Sequence, residues 1–140
     1  MQVFIIGSPL ETARILDKRR LNKQIIECNQ ILNALRGKKT WRNHPAVLEY
    51  KGYEKWLTWY RSCLEWYVLG NISWANTCSI KASEATPPFH TKDFFNQMKR
   101  RLYTKDNNHY KQYAYLGESQ ENWYFVDGVM RKYINGKRKE

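Results

Sequence analysis

Residues 16–37, LDKRRLNKQIIECNQILNALRG, decide the fold class. Leu21, Ile25, Cys28, Leu32 and Leu35 recur at alternating steps of four and three, the spacing of one buried helical face. Gly37 supplies the stop. Upstream, Ser8-Pro9-Leu10-Glu11 reads as a helix start, with Ser as N-cap, Pro in the first position and Glu in the third. The spacing therefore predicts a first helix entered at Ser8 and closed at Gly37, with a short apolar extended segment, Val3 to Ile6, ahead of it.

Downstream, Pro45 suits the first turn of a second helix capped by Asn43 or His44. Its core stripe is Tyr53, Leu57, Tyr60, Leu64 and Tyr67 or Val68, with Trp56, Trp59 and Trp66 on other faces. Gly70-Asn71 ends it. Residues 72–88 lack a clean period and read as a long connection with room for one helical turn. A shorter helix is expected from Thr91 to about Tyr103, burying Phe94 or Phe95, Met98 and Leu102. An aromatic patch, Trp123-Tyr124-Phe125-Val126, and a solvated basic run, Lys137-Arg138-Lys139, complete the chain. The expected architecture is all-α: a single compact basic α-helical domain over residues 1–140, with three to four main helices and long irregular connections.

The 140 residues are 42% hydrophobic and 15% aromatic, enough for a packed core. Twenty-four Lys and Arg against thirteen Asp and Glu give a net charge of +11, which attracts polyanions. Double-stranded DNA is the first partner this implies, and a phosphorylated nucleotide is the alternative. No apolar run is long enough to span a bilayer, so no membrane partner is expected. Cys28, Cys63 and Cys78 form no CxxC pair, and three cysteines cannot all pair internally, so reduced thiols and a cytoplasmic location are expected. The N-terminal MQVFIIGSPLE has no basic segment before its apolar burst and is not read as a secretory signal.

Three constellations could carry chemistry. In DKRRLNKQIIE, Asp17, Arg20, Gln24 and Glu27 share one helical face, with Arg19 and Lys23 in the neighbouring row. Fixed cations beside a carboxylate suit phosphate binding by Arg20 and Lys23 and acid, base or electrostatic work by Glu27. The bland alternative is a solvated face of ion pairs. In WRNHP, Arg42, Asn43 and His44 stand at a helix N-terminus, where anions are favoured; a cap or packing role for His44 is the alternative. In PPFHTKDF and KRRLYTKDNNHY, His90, Arg100, Arg101, Lys105, His109 and Tyr110 interleave basic and aromatic groups, as a nucleic-acid backbone contact does. No glycine-rich phosphate loop, metal-ligand spacing or nucleophile elbow is present, so neither metal nor cofactor is expected.

These residues resemble the pyrimidine-dimer DNA glycosylase family, also called the endonuclease V type of ultraviolet-damage repair enzyme, in a divergent branch. The similarity lies in LDKRRLNKQIIECNQIL, WRNHPAVLEYKGYE and FHTKDFFNQMKRRLYTKDNNHYKQY, in that order. It implies a compact helical domain that binds duplex DNA and extrudes a nucleotide. It also implies glycosylase and abasic-site lyase activity in which an N-terminal α-amine forms an imine with the sugar, a first-helix glutamate assists and arginines hold phosphates. An α-amine has an ordinary pKa of about 7.7 to 8.0, which leaves a neutral fraction near pH 7.

Two features depart from the family pattern. Gln2 is bulky where a small second residue is usual, so the nucleophile becomes Met1 itself. The usual arginine-glutamate pair is replaced by Arg19-Arg20, leaving Asp17 and Glu27 as the nearest carboxylates and Glu27 as the candidate acid or base. Retained catalysis and a purely binding, sequestering role on the same scaffold both remain open at this level.

Overall fold

The computed structural model describes residues 1–81, 85–119, 122–134 and 137–139. The chain is mostly helical, as its periodicity predicts. In order come α1 (Pro9–Ile15), α2 (Lys18–Leu35), α3 (Pro45–Tyr50), α4 (Glu54–Val68), α5 (Ile72–Ile80) and α6 (Lys92–Lys105). A short 3-10 helix (Lys111–Leu116) and strands β1 (Asn122–Val126), β2 (Val129–Ile134) and β3 (Lys137–Lys139) follow.

Each long helix read from the sequence is divided in two. Ser8 caps α1 by accepting from Glu11 N, and Pro9 opens it, as expected. Leu16 then turns to an extended conformation, and Asp17 starts α2 by accepting from Arg20 N at 3.3 Å. A short acceptor such as Asp satisfies the free N–H groups of a new first turn, which makes the break inexpensive here. Between α3 and α4, Gly52 takes a φ of 92°, a left-handed conformation that favours glycine.

The connection expected over residues 72–88 contains a full helix, α5, capped by Asn71 accepting from Trp74 N at 3.2 Å. Its apolar residues follow no amphipathic stripe, so periodicity gave no signal. Cys78 on α5 is joined to Cys63 on α4 by a disulfide, with Cα atoms 5.6 Å apart, while Cys28 is free and buried. This corrects the expectation of reduced thiols and removes its support for a cytoplasmic location. An odd count forbids complete pairing, but not one pair.

The C-terminal residues add a three-stranded antiparallel sheet in the order β1-β2-β3 to the helical frame. Val126 pairs with Val129 across Asp127-Gly128, whose φ angles of 55° and 78° are those of a tight hairpin turn. The aromatic patch Trp123-Tyr124-Phe125-Val126 is β1 itself. The side chains of the basic run Lys137-Arg138-Lys139 lie outside the described residues.

The core forms where α2 meets α4. Leu21, Cys28, Ile31 and Leu32 face Leu57, Tyr60 and Leu64, while Trp56, expected on another face, is buried and stacks between Tyr50 and Tyr60. Through this core runs the extended segment Val3–Ile6. Among the described residues it pairs with no strand, so its amide groups need side-chain acceptors. Phe4 N donates to Gln24 Oε1, Ile6 N donates to Thr12 Oγ1, and Gln2 N donates to Glu27 Oε2. Polar residues of α1 and α2 thus hold the N-terminus against the core. Among the described residues, no helix is long and apolar enough to cross a membrane.

Candidate active site

The extended N-terminal segment and α2 run side by side, and their ends open into a cavity of about 200 Å³. Met1, Gln2 and Phe4 form one wall, while Arg19, Arg20, Lys23, Gln24 and Glu27 on α2 form another. Lys105, at the end of α6, and Asn122 and Tyr124, on β1, close it. Seven residues singled out in the sequence therefore meet in one place: Met1, Arg19, Arg20, Lys23, Gln24 and Glu27, with Lys105 from the third constellation. Steps of three and four along α2 put its members on a shared side.

Glu27 is 8% exposed. Its Oε2 accepts from Gln2 N at 3.2 Å, and its Oε1 lies 4.0 Å from Lys23 Nζ. The buried carboxylate is thus held by a backbone amide and faced by a cation, the pairing that burial of a charge requires. Arg20 is aimed by a relay. Tyr110 donates to Asp17 Oδ1 at 2.5 Å, and Arg20 Nη1 donates to the same oxygen at 3.1 Å. These bonds hold the Asp17 carboxyl below the usual carboxylate range against the opposing effect of burial.

The Met1 amine sits below its ordinary pKa. Burial is the main cause; Lys23, Lys105 and Arg101 add to it by repulsion, and Glu27 opposes them. A neutral amine is the nucleophilic form, so the environment enriches that form near neutrality. His44 borders the region. It caps α3 by accepting from Ala46 N at 3.1 Å, packs edge-on against Trp41 and Tyr124, and is depressed in pKa by burial and then by the Met1 ammonium.

Gln24 is only 1% exposed and is occupied within the protein. Besides accepting from Phe4 N, its Oε1 accepts from Tyr60 Oη at 3.2 Å, and its Nε2 donates to Gln2 O at 2.8 Å. It clamps the N-terminus rather than offering itself to a phosphate.

The remaining candidates disperse. Arg42 and Asn43 are exposed in the turn before α3. His90 lies among Trp56, Phe89 and Phe94, its Nε2 paired with Tyr50 Oη at 2.8 Å, and burial pushes its pKa down to about 3. That makes it a packing residue of the aromatic core, set apart from the cavity. Arg100 Nε donates to Leu116 O, and Arg100 borders a separate cleft with Phe89 and Phe94. Arg101 Nη1 donates to Ser119 O at 2.9 Å, yet its charge reaches the Met1 amine. His109 is exposed, and its Nε2 donates to Ile15 O at 3.1 Å.

Gln2, Asn122 and Tyr124 were not legible as site residues. Gln2 is 4% exposed, and its Nε2 donates to Trp123 O at 2.9 Å. Tyr124 donates to Met1 O at 2.6 Å. Only the packing of the hairpin onto the N-terminus brings them there, and no local pattern announces it.

Fold and cavity together describe a basic helical protein whose N-terminal amine and a buried carboxylate share one cation-lined cleft. Residues 1–65 match the family model of pyrimidine dimer DNA glycosylase, a similarity that runs from the N-terminus through most of α4. Neither the curated proteins nor the solved structures gave a match.

Proposed function

We propose that this protein is a DNA glycosylase and abasic-site lyase, working as one domain on double-stranded DNA, with the Met1 α-amine as nucleophile and Glu27 as acid and base. The observation that carries the reading is the shared cavity: amine, carboxylate and the cations of Arg19, Arg20, Lys23 and Lys105 line one volume.

The neutral amine attacks the sugar C1′ of a damaged nucleotide as the glycosidic bond breaks. The base leaves with its electron pair and takes up a proton, matching the one the amine gives up to Glu27. At an abasic site it condenses with the ring-opened aldehyde, releasing water and leaving an imine. Protonation of the imine nitrogen acidifies the C2′ proton, which Glu27 removes in this reading as the 3′ phosphate departs. The cations hold the flanking phosphates and favour the neutral amine. The family match over residues 1–65 supports the same chemistry, and action on DNA is compatible with a cytoplasmic location.

Borohydride trapping on an abasic duplex tests the proposal. The expected product is a covalent protein–DNA adduct whose attachment maps by mass spectrometry to the Met1 peptide, lost when the amine is acetylated. No adduct at any pH rejects the enzyme reading. Salt-dependent duplex binding without an adduct favours the second reading, a sequestering protein for nucleic acid or a phosphorylated nucleotide, which the cation-rich cavity also supports.

A further inference from the structure

We propose that Tyr124 is a positioning residue that fixes the direction in which the N-terminal amine points into the cavity. This rests on reading the Met1 amine as the nucleophile.

A peptide group is planar, so holding both of its ends fixes its plane. The Met1–Gln2 peptide is held in this way. Its carbonyl accepts from Tyr124 Oη at 2.6 Å, and its N–H donates to Glu27 Oε2 at 3.2 Å. With the plane fixed, the amine retains one rotation, about the Met1 Cα–C bond. Without the Tyr124 hydroxyl the carbonyl end is free, and the whole group can swing about the bond to Glu27.

Tyr124 is itself fixed well enough to act as a stop. Its residue is 2% exposed, and its ring meets the edges of His44 at 5.9 Å and Tyr133 at 5.4 Å. The strand on either side of it is anchored: Gln2 Nε2 donates to Trp123 O at 2.9 Å, and Phe125 N donates to Glu49 Oε2 at 2.7 Å. Helix α3 and the N-terminus therefore grip β1 from both sides of Tyr124. The position lies outside residues 1–65, so the C-terminal hairpin completes a site whose reacting groups are all N-terminal.

The test compares Tyr124→Phe with wild type in single-turnover borohydride trapping on an abasic duplex, alongside duplex affinity and the pH profile of the trapping rate. The trapping rate is expected to fall roughly 100-fold, the scale of a misplacement of about 1 Å in a reacting group. Duplex affinity and the acid limb of the profile stay unchanged, because neither charge nor cations are altered. Tyr133→Phe, from the same face of the sheet, leaves the rate unchanged. Should Tyr124→Phe melt below the assay temperature, 4-fluorophenylalanine at position 124 fills the hydroxyl's volume without donating and carries the same expectation. A donor-free variant that folds and traps at the wild-type rate overturns the proposal. A wild-type protein that traps nothing overturns the nucleophile reading instead.

Discussion

Tyr124 and Glu27, 97 positions apart in sequence, hold opposite ends of one peptide group, the carbonyl of Met1 and the amide of Gln2. Under the proposed mechanism Glu27 therefore carries two duties, fixing the N-terminus and exchanging a proton. Glu27→Gln separates them, since a carboxamide oxygen still accepts from Gln2 N while the carboxylate is gone. The variant should fold and bind duplex DNA but lose roughly 10²- to 10⁴-fold in turnover. Because the carboxylate raises the amine's pKa, its removal should also move the acid limb of the rate profile to lower pH. Wild-type turnover in this variant would exclude Glu27 from the chemistry.

The cations act on the amine with the opposite sign. Lys23 and Lys105 both lower its pKa, so Lys105→Ala should shift the acid limb to higher pH, opposite to Glu27→Gln. Arg19→Ala combined with Lys23→Ala should weaken duplex binding and flatten its dependence on salt, by about 0.9 in log–log slope for each phosphate no longer neutralised. Anisotropy titrations from low to high salt measure the second effect. An unchanged slope would mean these two side chains touch no phosphate.

Gln24 offers a test of stability alone. Leucine at this position leaves Phe4 N, Gln2 O and the Tyr60 hydroxyl without the partners that Gln24 now provides. Unpaired buried groups of this kind cost about 1 to 3 kcal/mol each, so Gln24→Leu should destabilise the fold by about 3 kcal/mol or more. For a domain of this size that is a fall of roughly 10 °C in Tm. A loss below about 1 kcal/mol by thermal melting would show that the N-terminal segment is held by its apolar side chains instead.

Two buried groups should confine stability to a window of pH. Burial pushes the Glu49 carboxyl well above its ordinary value of 4.5. The folded state therefore keeps a proton that the unfolded chain releases, and stability falls as pH rises above that value. His90 has the reverse behaviour. Its folded pKa of about 3 lies below the ordinary 6.5, so the unfolded chain takes up a proton first, and stability falls as pH drops from about 6.5 towards 3. Glu49→Gln should flatten the alkaline side of a Tm–pH curve and His90→Phe the acidic side. If neither slope changes, other groups govern the titration.

Helical class, the direction of the core stripe on α2 and the grouping of Arg19, Arg20, Lys23 and Glu27 were legible because they obey a local period of 3.6 residues. The breaks at Asp17 and Gly52 were not. Each signal is a single residue with a good alternative role inside a longer helix, and tertiary packing decides between them. Tyr110, fixed on Asp17 from 93 positions away, is part of that decision. Helix α5 is not legible in the sequence because its exposed apolar residues, among them Ile72, Trp74 and Ile80, trace no buried face. The hairpin carried a readable turn in Asp127-Gly128, overshadowed by helical periodicity upstream.

The sequence by itself determined a basic, mostly helical protein with a carboxylate and cations aligned on one helix, since charge and helical spacing are local properties of the chain. Only the tertiary structure decided which of those groups surround the N-terminus. Gln24 was turned inward as a clamp because the unpaired amides of an extended buried segment needed acceptors there. His90 was drawn into the aromatic core, and Tyr124 was brought onto Met1 by a hairpin at the far end of the chain. Long-range packing, which no local spacing encodes, set the composition of the cavity.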